Sequence, residues 1–261
     1  MQDFLYHFKL IGAIYLRHFK AFRPDARTYF VGHVLNPLAF LAAFGYGLGS
    51  FIEIMGGLDY FVYVLAGTLV YMTMFASSIE VALVGYQRTY GDRLYDYMLT
   101  TPVSINHIVI TEILWGVSKA VLTAAVLLIV SFNFYDMPVT WGAGVAAFFM
   151  SLLFCFTFAA TSLVFTAYAK SFEFFAYFFV FWVYPGMFFG GVFYDLDNLP
   201  EWAQYAAQLH PVTQGVALVR PLLGNLYMDS WEFAARLTYI LVFGAVMATW
   251  ARAKLKRRLY N

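Results

Sequence analysis

Three ionisable residues interrupt otherwise apolar stretches of this chain: Glu80, Glu112 and Lys119. A charge inside hydrocarbon is costly, so such residues face a bundle interior or a wet path. Glu112 and Lys119 are seven residues apart, which puts both on one helix face about two turns apart. Two roles fit. They could line a polar translocation path or lock one helix against another, or they could form a purely structural ion pair. A proton relay would need a chain of such groups across the membrane, and the far half of these helices offers none. His33 and Asn36 lie one turn apart, but a lone histidine in such a helix is more often a hydrogen-bonded structural residue than a ligand. No G-x-x-x-x-G-K-[ST], H-E-x-x-H or G-x-S-x-G motif occurs. With one cysteine, Cys155, neither a disulfide framework nor a cysteine metal site can form within the chain.

The elements that carry these residues follow from composition. Of 261 residues, 62% are hydrophobic and 12% charged, where a soluble domain carries about 25% charged residues. The fold expected is all-α, a polytopic membrane protein. About 20 apolar residues cross the hydrocarbon core as a helix. Six stretches qualify: Val31–Ile52, Tyr60–Ile79, Ile108–Val130, Val139–Ala169, Phe174–Tyr194 and Phe233–Ala251. Asn36-Pro37 should kink the first and Pro185 the fifth. The chain reads as a single domain over 1–261, without a cleavable leader pattern.

Residues 3–23 form an amphipathic stretch. Phe4, Phe8, Ile11, Tyr15, Phe19 and Phe22 share one side, and Lys9, Arg17, Lys20 and Arg23 the other. Such a helix suits a membrane interface. With the N-terminus inside, cytoplasmic pieces hold 13 of the 16 basic residues, so both termini are expected to be cytoplasmic.

Between the second and third apolar runs lies QRTYGDRLYDYMLTTPVSIN, residues 87–106. Tyr90, Leu94, Tyr97 and Met98 fall on one helical face, and Asp92, Arg93 and Asp96 on the other. Pro102 stops this helix and Ser104 can cap the next. The expectation is one short amphipathic helix over 88–102 at the inner surface. The longest outer connection, Asp195–Trp231, also reads as helical over its hairpin, 195–221. Asn198 can cap, Pro200 suits the first position, and Leu199, Trp202, Ala206 and Leu209 form a stripe. His210-Pro211 breaks it, and a second piece, Thr213–Val219, ends at Arg220-Pro221. This pair suggests a hairpin that dips back into the outer leaflet. Of the chain's 29 Phe and 20 Tyr, most belong to lipid-facing surfaces and interface belts. Tyr184, Phe188, Phe189, Phe193 and Tyr194, beside the hairpin, are the best candidates for contact with an amphipathic molecule.

Three pieces carry a resemblance to the membrane subunits of ABC-2 type exporters, especially the nodulation lipo-oligosaccharide exporter type. They are GDRLYDYMLTTPVS at 91–104, TEILWGVSKA at 111–120 and FFGGVFYDLDNLPEWAQYAAQLHPVTQGVALVR at 188–220. The third is the most specific, because its G-V-F, L-P-x-W, proline and terminal arginine keep fixed intervals over more than thirty positions. The resemblance implies a transport subunit rather than an enzyme, located in a bacterial inner membrane. It implies a homodimer bound to two copies of a separate ABC ATPase. ATP and Mg would sit on that partner, with no cofactor in this chain. Arg88, Tyr90, Asp92, Arg93, Leu94, Asp96 and Tyr97 would make the ATPase-coupling segment. Glu80, Glu112 and Lys119 would belong to the translocation path. Phe189, Phe193, Tyr194, Leu199, Pro200, Trp202, Pro211 and Arg220 would form the outer gate. The cargo implied is an amphipathic lipid-linked saccharide or lipo-oligosaccharide, with multidrug efflux as the alternative. A secondary carrier, or a lipid-modifying membrane enzyme, would be the reading outside this class. Nothing points to nucleic acid.

Overall fold

The computed structural model describes residues 2–260, with side chains from Phe4 onward. Six helices among the described residues are long and apolar enough to cross a membrane: Phe4–Ser50, Tyr60–Gly91, Ile105–Phe134, Trp141–Tyr168, Phe172–Phe189 and Ser230–Leu259. They correspond in order to the six apolar runs, and the protein is a multi-pass, all-α membrane protein.

The first run and the amphipathic stretch before it are nearly continuous. α1 (Gln2–Phe22) passes through one tight turn, Arg23–Asp25, into α2 (Ala26–Leu41). α2 runs through Pro37 without interruption, and the helix widens only at Ala42–Gly47. α1 packs along the start of α5 (Ile105–Phe134), with Ile14 and His18 buried. Phe4, Phe8 and Phe19 of its aromatic stripe remain exposed. The stripe is therefore divided between a protein contact and a free apolar edge.

A two-residue ribbon, β1 (Ile54–Met55) with β2 (Leu58–Asp59), turns the chain into α3 (Tyr60–Ile79). Asp59 caps α3 by accepting from the Phe61 amide at 2.8 Å. α3 is the central post, buried along almost its whole length. It continues through two widened turns, Glu80–Val84 and Gln87–Gly91, before a break at Asp92-Arg93. Arg93 adopts a left-handed conformation (φ 51°), and α4 (Leu94–Leu99) starts after it. Ser104 then caps α5, its own amide donating to His107 Nδ1 at 3.0 Å.

α6 (Trp141–Tyr168) packs on α3, on α5 and on α11 (Ser230–Leu259). The fifth span is broken into α7 (Phe175–Phe178), a widened turn at Phe179–Val183, and α8 (Tyr184–Phe189). The widened turn ends where Pro185, which lacks an amide hydrogen, would otherwise clash with the preceding turn. α9 (Glu201–Gln208) and α10 (Pro211–Gly224) form the hairpin. Both chain ends lie at one end of the bundle, since Arg258 donates to the Ala167 carbonyl and His7 lies beside His107. The hairpin occupies the half nearer the start of α3.

Candidate functional site

The three intramembrane charges converge on one buried cluster, at the end of the bundle that carries the termini. Arg88 links both acids: its Nη1 donates to Glu80 Oε1 at 2.9 Å and its Nη2 to Glu112 Oε2 at 2.7 Å. Trp115 Nε1 donates to Glu80 Oε1 at 2.8 Å. His18, brought in by α1, lies 3.1 Å from Glu112 Oε1. Lys119 is held more loosely, 3.8 Å from Glu80 Oε2. Its ammonium lies 3.0 Å from the centre of the Phe22 ring and 3.9 Å from that of Tyr29. All five ionisable side chains are buried.

The geometry of α3 makes this cluster possible. Two ordinary α-turns take about 7.2 residues. Widened turns take more, so Arg88 comes round to the same face as Glu80, eight residues before it. Arg88 is therefore a correction. Expected on the ATPase-coupling surface, it is instead the buried centre of an ion-pair network, because two carboxylates in an apolar surrounding require a cation between them. His18, Trp115 and Arg88 escaped sequence reasoning as cluster members. A neighbour 35 residues distant, or one on another helix, leaves no local periodicity to read.

The segment after Arg88 also differs from expectation. It is not one helix over 88–102 but a widened end of α3, a left-handed break, and the six-residue α4. Its inward anchor is Tyr95, fully buried, whereas Tyr97, expected on the apolar face, is 68% exposed. Asp92, Arg93 and Asp96 are exposed, and Tyr90, Leu94 and Met98 are half-buried. Tyr90 is covered by the Arg258 guanidinium, 4.0 Å from its ring centre. Tyr95 is sunk in the core and Asp96 and Tyr97 stand free, so α4 is a short knob with an anchored base.

At the opposite end, Arg220 ties α10 to the top of α3. Its guanidinium lies 3.5 Å from the Tyr63 ring centre and donates to the Gly191 carbonyl. Phe193 stacks on Phe44 with ring centres 4.3 Å apart, and its carbonyl accepts from the Tyr60 hydroxyl at 3.2 Å. Tyr194 donates to the Phe188 carbonyl. Gly191 turns this joint at a φ of 71°, and Gly67 lets α3 meet the Val192 backbone directly, where any Cβ would collide with it. Phe193, Tyr194 and Arg220 are thus brought together. Phe189 and Trp202 face outward, and Leu199 and Pro200 lead into α9.

The hairpin departs from expectation in four details. Asp195, not Asn198, caps the entering turn, and Pro200 precedes α9 rather than opening it. The stripe that includes Trp202 and Leu209 points away from the protein, while Ala203 and Ala207 point in. α10 does not end at Arg220-Pro221 but runs through to Gly224. His210-Pro211 forms the tip. His210 Nδ1 accepts from the Val212 amide at 3.3 Å, and its Nε2 donates to the Trp182 carbonyl at 3.2 Å. Gly215 rests against Val70, ten residues or about 15 Å into α3. α10 is therefore buried among α3, α6 and α11.

Comparison with known proteins agrees with this architecture. Residues 9–223 match the family described as ABC-2 type transporter. Nodulation protein J of Rhizobium leguminosarum bv. trifolii is 29% identical over 95% of this chain and 93% of its own length. Nodulation protein J of Rhizobium leguminosarum bv. viciae is 27% identical over 95% and 94%. That of Sinorhizobium fredii is 24% identical over 95% and 94%. Family membership implies an ATPase partner and a transport role rather than catalysis. The match spans the polar cluster, α4 and nearly all of the hairpin, and this chain belongs to the ABC-2 type transporter family as a multi-pass membrane subunit.

Proposed function

We propose that this chain is the membrane subunit of an ATP-driven exporter that moves an amphipathic lipid-linked saccharide or lipo-oligosaccharide outward across a bacterial inner membrane. Two copies of the chain work with two copies of a separate ATPase, which holds ATP and Mg, and both termini are cytoplasmic. The observation that carries the reading is α4. Its exposed Asp96 and Tyr97 offer a contact outside the bilayer, while buried Tyr95 and the left-handed break at Arg93 join it to α3. A push on this knob reaches the Glu80–Arg88–Glu112 cluster two turns away. The cargo class is supported by similarity to relatives named Nodulation protein J and by the exposed rings of Phe188, Phe189 and Trp202 beside the hairpin.

The test is a mild-detergent pull-down from native membranes, followed by an α4 double variant, Asp96→Ala with Tyr97→Ala. Both sites are exposed and alanine favours the helix, so the fold should persist. The expected result is a P-loop ATPase at one copy per copy of this chain. In the variant, cargo-stimulated ATP hydrolysis should fall at least about tenfold, equivalent to about 1.4 kcal/mol of coupling. Absence of an ATPase, or full coupling in the variant, would remove α4 from this role.

A further inference from the structure

A groove of about 1120 Å³ opens sideways between the fifth span and α11, floored by α6. It exceeds the roughly 300–1,000 Å³ of drug-sized pockets. Its walls are Val164, Phe165, Phe174, Phe243, Met247 and Trp250, and Trp182 and Leu209 close it at the hairpin side. Phe243 and Trp182 stack in parallel there, 6.0 Å between centres. Along α6 the lining runs from Thr161 to Tyr168, about 10 Å of helix. The groove is apolar along its length and polar at one mouth only, where Lys170, Ser171 and Glu173 stand. Lys254 adds a second ammonium there, 4.3 Å from the ring centre of Tyr168, whose hydroxyl accepts from Trp250 Nε1 at 3.2 Å. Among the described residues, no ion pair holds either lysine.

We propose that this groove seats one acyl chain of an anionic phospholipid, with the lipid phosphate at the mouth against Lys170 and Lys254. An apolar slot whose single polar end holds two ammonium groups against the one carboxylate of Glu173 matches the chemistry of one lipid molecule: a tail to bury and a charge to neutralise. Basic pockets between membrane helices on the cytoplasmic side bind such headgroups. A second copy of this chain is a poorer occupant. Aligned the same way, as in the proposed homodimer, it brings its own basic end to the same level and offers Lys170 and Lys254 no counter-charge, so the dimer seam belongs on another face. The basic tail alone reads as an ordinary retention signal for the cytoplasmic side. The addition is the groove that Lys254 and Lys170 overlook. The site lies apart from the polar cluster and from α4, and its occupancy does not depend on the cargo.

Two tryptophans of the groove supply the readout. The full chain is reconstituted in phosphatidylcholine vesicles that carry increasing fractions of dibrominated phosphatidylglycerol or dibrominated phosphatidylcholine. The fluorescence lost by Trp250 is obtained as the difference between the wild type and Trp250→Phe. Half-quenching is expected at a five- to tenfold lower fraction of the brominated anionic lipid, in line with about one cation's worth of attraction or slightly more. Lys170→Gln with Lys254→Gln should abolish this preference, and Lys170→Arg with Lys254→Arg should retain it. Equal quenching by the two lipids would reduce the groove to ordinary lipid-facing surface. Absence of quenching would mean that protein fills it. A preference that survives in the glutamine pair would overturn the headgroup assignment. The comparison of the two lipids needs only the wild type and Trp250→Phe, so it decides the matter even if a lysine variant fails to fold.

Discussion

At the scale of single residues, the polar cluster separates two kinds of charge. Arg88 bonds two buried carboxylates at 2.9 and 2.7 Å, and without it Glu80 keeps only the Trp115 Nε1–H and the distant Lys119, and Glu112 only His18. Lys119 stands 3.8 Å from its one carboxylate and leans on aromatic rings. Arg88→Ala should therefore cost about 3–5 kcal/mol of stability. Lys119→Ala should cost no more than about 2 kcal/mol, the upper part of the range for a desolvated cation on an aromatic face. Thermal melting of the purified variants in detergent measures both. An equal loss would make Lys119 as structural as Arg88. A small shift in melting with a large loss of transport, restored by Lys119→Arg, would tie its charge to the transport path instead.

At the scale of elements, the joint between α3 and the loop before α9 sets how firmly the hairpin is held. A Cβ at Gly67 would collide with the Val192 carbonyl oxygen, and a main-chain atom cannot rotate away. Gly67→Ala should cost about 1–3 kcal/mol, the usual range for overpacking, and should expose Asp195–Pro200 to proteolysis at the hairpin end. Gly12→Ala serves as the control. Nothing lies within 4 Å of that position, and alanine in a helix interior is favoured over glycine by up to about 1 kcal/mol. Faster cleavage in Gly12→Ala, or none in Gly67→Ala, would show that the close approach does not fix the hairpin. α4 obeys a similar logic at the other end: one buried tyrosine and one left-handed residue, rather than a continuous helix, determine its position.

At the scale of the whole molecule, the protein is layered from the inside out. α3 is buried almost throughout, whereas few residues of the first and sixth spans are buried. Large apolar side chains such as Phe134, Phe149 and Phe181 lie outermost, an arrangement stable only where the surroundings are themselves apolar. The charge bias between the two ends gives the orientation a direct test, aided by the burial of Cys155, the chain's single cysteine. In intact cells, a membrane-impermeant maleimide should label Asp197→Cys, at the hairpin end. It should label Arg257→Cys only after the membrane is opened. The reverse pattern would invert the orientation, and with it the direction of export.

The sequence by itself determined the number and order of the spans, because membrane helices satisfy their backbone locally and each needs one apolar run of fixed length. It also marked Glu80, Glu112 and Lys119 as exceptional, since a charge in an apolar run is visible without a fold. The Ser104 cap was legible for a similar reason: capping depends on residues three apart. Partnerships across helices were not legible. Whether Arg88 faces water or Glu112 depends on the widened turns that rotate the end of α3, and nothing in the side-chain pattern of 80–91 encodes those turns. The apolar stripe of α9 could equally have faced protein or lipid, and only the small contact surfaces of Ala203 and Ala207 decided that Trp202 points outward. α1 binds the cluster through His18 because α5 stands beside it. Tertiary packing chose these contacts: a helix has several apolar faces, and which of them is buried is settled by its neighbours.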